Sequence, residues 1–195
     1  MLEAPVLDTD ALRTDLQRDF GIRVTTLEFL PIGADGNAAV YRAMDDSGAP
    51  YFVKLRRGAF DEISVLLPAY LRSQDIKQII APLPTLAGQL FARQDDFTTI
   101  LYPFVAGRDG YAVDLSPQQW AEFGTALRQL HTTRVPPALR NRIPRERFSA
   151  RWRDGARSPP VERLQSLLRS SLRVFVAYYG MIEVIIATVQ GHHAL

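Results

Sequence analysis

Apolar residues recur at helical spacing between Asp10 and Phe20, placing Leu12, Leu16 and Phe20 on one face, and Gly21 supplies the stop. The period then changes to that of strands. Val24 to Ile32 alternates weakly and Ala38 to Met44 more clearly; Tyr51 to Leu55 reads as a third strand, returning antiparallel across the turn Asp45-Asp46-Ser47-Gly48. A second helix is predicted from about Asp61 to Ser73, with Ile63, Leu66, Leu67 and Tyr70 turned inward. Pro68 should kink it, because the proline ring removes the bond to the Ser64 carbonyl. Gln89 to Arg93 and Phe97 to Val105 form a further hairpin across Gln94-Asp95-Asp96. The pattern predicts an α+β fold: five short antiparallel strands with one helix inserted after the third.

A polar, glycine-bearing bridge from Ala106 to Leu115 precedes a clearly marked helix. Ser116 is placed as N-cap, Pro117 in the first turn, and Gln119 completes a capping box. Trp120, Phe123, Leu127 and Leu130 then make one apolar stripe ending near His131. These signals divide the chain into a first lobe (1–105), a hinge (106–115) and a helical part (116–195). The first lobe is long enough to build its own core.

With 47% hydrophobic and 23% charged residues over 195 positions, the composition is that of a globular protein, not a disordered one. No cysteine occurs, which excludes disulfides and thiolate metal sites and accords with a reducing compartment. Glu3, Asp8 and Asp10 stand where a secretory signal would need a basic flank and an apolar run, so a cytoplasmic location is expected. The net charge of +2 conceals a segregation: residues 1–127 hold 11 basic and 17 acidic side chains, whereas residues 128–173 hold 12 arginines against Glu146, Asp154 and Glu162. That arginine-rich stretch lacks the clustered aromatics on which single strands stack, so no nucleic-acid partner is expected. Near the end, Val174 to Val189 is apolar except for Glu183. A membrane helix wants about 20 apolar residues, so no membrane span is expected; exposed apolar surface and self-association are. His192 and His193 have no further ligand nearby in sequence and are not read as a metal site.

The candidate chemistry centres on Lys54, one of only two lysines among 23 basic residues and set inside the apolar strand Tyr51-Phe52-Val53-Lys54-Leu55. An ammonium withdrawn from water needs an anionic partner. Strand alternation puts Lys54 on the face of Phe52, opposite Tyr51, Val53 and Leu55. Upstream, Gly33 and Gly36 sit in the turn Gly33-Ala34-Asp35-Gly36-Asn37, and a backbone can approach phosphates closely only where such glycines allow it. Downstream, Glu62 opens the second helix and is the candidate partner for Lys54, with Asp61 as competitor or helix cap. The set suggests a nucleotide-phosphate clamp; an ordinary hairpin with a snorkelling lysine is the plainer alternative.

On these residues the run from Ile32 to Leu130 resembles the aminoglycoside phosphotransferase family, whose fold is protein-kinase-like. The stretches YFVKLRRGAFDE, QIIAPLPTLAGQLFAR, ILYPFVAGRDGY and WAEFGTALRQLHT are most similar to its spectinomycin-phosphotransferase branch. The resemblance implies a kinase-like N-lobe followed by an incomplete helical C-lobe, with ATP and Mg2+ as cofactors and an aminoglycoside or aminocyclitol as substrate. It implies that Lys54 holds the α- and β-phosphates, Glu62 orients Lys54, and Gly33 and Gly36 shape the loop over the phosphates. Backbone groups around Leu101, Tyr102 and Phe104 would face the adenine.

One departure stands beside the match. Kinase-type transfer needs an aspartate to receive the hydroxyl proton, an asparagine five residues later for magnesium, and a second metal aspartate. The only asparagines here are Asn37 and Asn141; the sole aspartate after Asn141 is Asp154, five residues before Pro159. No catalytic residue and no metal ligand is therefore nominated, and phosphotransfer is expected to be impaired or absent. Three classes follow: a truncated small-molecule phosphotransferase with its nucleotide lobe, a non-catalytic nucleotide-binding or regulatory module, and, least supported, an arginine-rich nucleic-acid binder.

Overall fold

The computed structural model describes residues 4–32, 36–107 and 114–144. Helix α1 (Thr9–Phe20) begins where the Asp8 carboxylate accepts the amides of Asp10 and Ala11, and ends on Gly21, whose φ of 74° is left-handed. The buried face of α1 is Leu12, Leu16 and Phe20, as its spacing predicts. Strands β1 (Val24–Leu30), β2 (Ala38–Asp45), β3 (Pro50–Arg57), β4 (Ala92–Gln94) and β5 (Phe97–Pro103) form one antiparallel sheet in the order β1-β2-β3-β5-β4. Helix α2 (Ile63–Ser73) lies between β3 and β4 in the chain. The α+β expectation of five strands with one helix after the third is met. β3 runs further than Tyr51 to Leu55 at both ends, and β4 is shorter than Gln89 to Arg93 because Thr85 and Gln89 pair in a turn instead.

The sheet's register assigns its residues to two faces. Ala39, Tyr41, Ala43, Val53, Leu55 and Leu101 share one face and close on Leu12, Leu16 and Phe20 to make the main core. The far end of α1 is pinned to the rest of the lobe: the Asp19 carbonyl accepts Leu86 N–H at 2.8 Å, and its carboxylate accepts Gln94 Nε2 at 2.8 Å. The Arg18 guanidinium beside Asp19 holds that carboxyl below its ordinary range, despite partial burial. The β2–β3 turn is fastened in the same way. The Asp45 carboxylate accepts the Ser47 hydroxyl and amide, the Ala49 amide and the Tyr51 hydroxyl, and these bonds lower its pKa.

Helix α2 meets its predicted inward face in part, with Ile63 buried as expected. Ile63, Val65, Pro68 and Leu71 are buried, while Leu66, Leu67 and Tyr70 are only half-buried. Pro68 is enclosed within the run of the helix. A second core joins it to helix α3 (Pro117–Thr132): Leu71, Ile76 and Ile79 are its centre, with Leu67, Tyr70, Leu115, Phe123 and Leu130 packed around them. The capping box on α3 is present, with the Ser116 hydroxyl accepting Gln119 N–H and the Gln119 side chain accepting Ser116 N–H. The apolar stripe of α3 is less enclosed than its pattern predicts: Ala126 is its buried residue, and Trp120 is 50% exposed. A single helical turn, α4 (Pro137–Arg140), follows. Most of the Ala106–Leu115 bridge and the apolar tail lie outside the described residues. Among those described, no helix is long and apolar enough to cross a membrane.

Candidate functional site

Lys54 occupies the centre of β3, paired across the sheet with Val40 on one side and Ile100 on the other. Its strand neighbours Val53 and Leu55 are buried on the α1 side, so alternation directs Lys54 to the opposite face. The register gathers Val40, Arg42, Phe52, Lys54, Ile100 and Tyr102 on that face. It differs from the α1 side in kind: besides the closed Ile100 it carries a half-buried ammonium, a guanidinium and aromatic rings. Phe52 packs on Phe104 with centroids 4.5 Å apart, and the Arg42 guanidinium lies 4.8 Å over the Phe104 ring. Arg42 Nε is buried and has no hydrogen-bond partner. Burial pushes the Tyr102 phenol far above its ordinary pKa.

The expected site residues separate on inspection. Gly33 lies outside the described residues. Gly36 is exposed in the turn entering β2, with open space where a side chain would begin. Leu101 contributes its side chain to the α1 core, and its carbonyl accepts Leu83 N–H at 2.7 Å. Tyr102 and Phe104 are on the Lys54 side, through register and through the ring contact with Phe52.

At the start of α2, Asp61 accepts Ile63 N–H at 3.1 Å and so takes the capping role weighed for it. Glu62 occupies the N-cap position but makes no capping bond, which leaves its carboxylate for tertiary contact. Arg142 Nη2 donates to Glu62 Oε2 at 3.3 Å, across 80 positions of sequence. Sequence reasoning missed this contact. No local spacing could have revealed a pair so far apart.

A separate recess of about 460 Å³ opens at the other end of β3, lined by Arg57, Gly58, Arg93, Asp95, Asp96, Phe97 and Thr98. Its two arginines are matched by two aspartates, and Lys54 is not part of its wall. It therefore lacks the one-signed field that would draw an anion.

The Lys54 face fits a nucleotide in its chemistry: a cation at mid-strand for phosphate, and apolar and aromatic side chains beside it for a base. The magnesium implied by the resemblance is another matter. Among the described residues no three His, Asp or Glu side chains gather as a metal ion would need.

A five-stranded antiparallel sheet, with a lysine at the centre of its third strand and a helix following that strand, defines a kinase-like lobe. Comparison with solved structures extends this. The chain is 35% identical, with a TM-score of 0.69, to the spectinomycin phosphotransferase APH(9)-Ia solved with ADP and spectinomycin; the match covers 77% of this chain and 45% of that one. The AMP complex of the same enzyme aligns at 33% identity and TM-score 0.64, covering 74% of this chain and 44% of that one. An amicoumacin kinase solved with AMP-PNP, at 16% identity and TM-score 0.50, shares the fold over 68% of this chain and 43% of its own. No family model matches, and no match was found among curated proteins. The chain is thus similar over about three-quarters of its length to a spectinomycin phosphotransferase, with the kinase-like fold of such enzymes, and spans less than half the length of these relatives.

Proposed function

We propose that this chain binds an adenine nucleotide on the Lys54 face of its sheet, as the nucleotide-binding part of a kinase-like small-molecule phosphotransferase. The observation that carries the reading is the position of Lys54, half-buried at mid-strand between Val40 and Ile100 and facing away from the α1 core. The relative with 35% identity was solved with ADP and spectinomycin, which supports the nucleotide and suggests an aminocyclitol as substrate. In this reading Lys54 neutralises the α- and β-phosphates, Glu62 holds Lys54 in place, and Gly33 and Gly36 let the β1–β2 loop close over the phosphates. Val40, Phe52, Tyr102 and Phe104 exclude water around the base, and Arg42 Nε offers one unmatched donor there.

Phosphoryl transfer needs charge placed around the moving group. The sequence supplies no aspartate with an asparagine five residues after it, as the family's catalytic loop requires. The expected behaviour is nucleotide binding with little or no turnover.

Calorimetry with ADP tests both halves. Lys54→Ala should weaken ADP at least about tenfold, the loss of roughly one charge-assisted contact. Incubation with ATP, Mg2+ and spectinomycin should give no product above that of the Lys54→Ala control. Equal ADP affinity in the two proteins would refute the site, and clear turnover by the wild type would refute the catalytic deficit.

A further inference from the structure

The segment after α3 runs along α2 and touches it at both ends. At one end the Tyr70 hydroxyl donates to the Arg134 carbonyl at 2.7 Å. At the other, Arg142 holds Glu62. Tyr70 and Glu62 lie about 12 Å apart along the helix at 1.5 Å per residue, so residues 134–142 form a strap over the N-terminal two turns of α2. The strap is internally braced. Arg140 N–H bonds to the Pro136 carbonyl, Asn141 N–H to Pro137 and Arg142 N–H to Leu139, which presents Arg142 from a short, hydrogen-bonded turn.

We infer that Arg142 is a positioning residue for the nucleotide site: by gripping Glu62 it fixes the start of α2, and with it the carboxylate that the nucleotide reading assigns to Lys54. The inference rests on the nucleotide reading above and adds the element that governs its geometry. Two features favour it over an incidental surface pair. Asp61 already satisfies the exposed amide at the helix start, so Glu62 is not needed as a cap. Arg142 bonds to Glu62 through Oε2, and a carboxylate has a second oxygen able to accept from another cation. The pair is about 43% exposed, so it contributes little to overall stability and its effect falls on orientation.

Calorimetry with ADP on the full chain tests this, using Arg142→Ala, Arg142→Lys, Glu62→Gln and the double variant. Arg142→Ala should weaken ADP roughly three- to fivefold, the upper range for an exposed ion pair, with thermal melting of the free protein nearly unchanged. Arg142→Lys should restore most of the affinity, and Arg142→Ala should add nothing in the Glu62→Gln background. Tyr70→Phe, which releases the other end of the strap, should shift ADP affinity in the same direction. If the wild type binds ADP and Arg142→Ala binds it equally well, or if the loss persists in the Glu62→Gln background, the positioning role is wrong. If the wild type does not bind ADP, the nucleotide reading fails and the positioning role falls with it, and the two failures are thereby told apart.

Discussion

The two faces of the sheet are made from the same strands and could hardly differ more. Toward α1, Val53, Leu55 and Leu101 are closed against Leu12, Leu16 and Phe20 in an apolar cluster. One residue along on each strand, the face carries Lys54, Arg42, Phe52 and Tyr102, most of it half-open. A period of two thus lets one strand do two jobs without conflict. Stability is concentrated on one side, and the costly, partly desolvated cation is held on the other.

Substitutions can break this division. The largest effect on stability is expected from Leu16→Ala, since Leu16 is fully enclosed: a loss of about 2–5 kcal/mol in denaturant unfolding. A loss under about 1 kcal/mol would mean that α1 is peripheral to the core. Next comes Asp8→Ala, which removes the cap that accepts the Asp10 and Ala11 amides and should cost roughly 1 kcal/mol. Neither variant should alter ADP affinity while the protein is folded, whereas Lys54→Ala should alter affinity and leave melting nearly untouched.

The smallest effect at neutral pH belongs to Tyr102→Phe, which sharpens the comparison at high pH instead. The raised pKa of the Tyr102 phenol means that folding favours its neutral form. Its contribution is complete below the pKa of an unfolded tyrosine, about 10, and is lost as pH rises from there toward the folded value. Tyr102→Phe should therefore show a shallower loss of stability above pH ~10 than the wild type. Tyr41 and Tyr51 also have raised values and keep part of the slope. Identical alkaline profiles would show that Tyr102 is solvated.

How far these features could be read in advance depended on their range. α1, its stop at Gly21, the Asp45 turn and the Ser116 capping box each depend on residues within about four positions, and all are found where the pattern puts them. The side assignment of Lys54 also followed from alternation alone. The burial of α2 was legible in part: Ile63 is enclosed as its spacing predicts, whereas Leu67 and Tyr70 lie at the edge of the core shared with α3 and Val65 is enclosed outside the predicted stripe. The apolar stripe of α3 was legible as a pattern but not as burial, since burial depends on what lies opposite. The Leu101 side chain is turned by strand register into the α1 core, while the expectation for it concerned its backbone groups.

Local chemistry in the chain was thus enough for the elements, their caps, the α+β class and the face on which Lys54 emerges, because each depends on neighbours a few residues away. That β3 pairs with β5, that Phe104 returns over Phe52 and Arg42, and that Arg142 reaches back to Glu62 depended on the folded arrangement. Contacts across 50 or 80 residues leave no periodic trace in a sequence. They exist only once hydrophobic burial has brought the segments together.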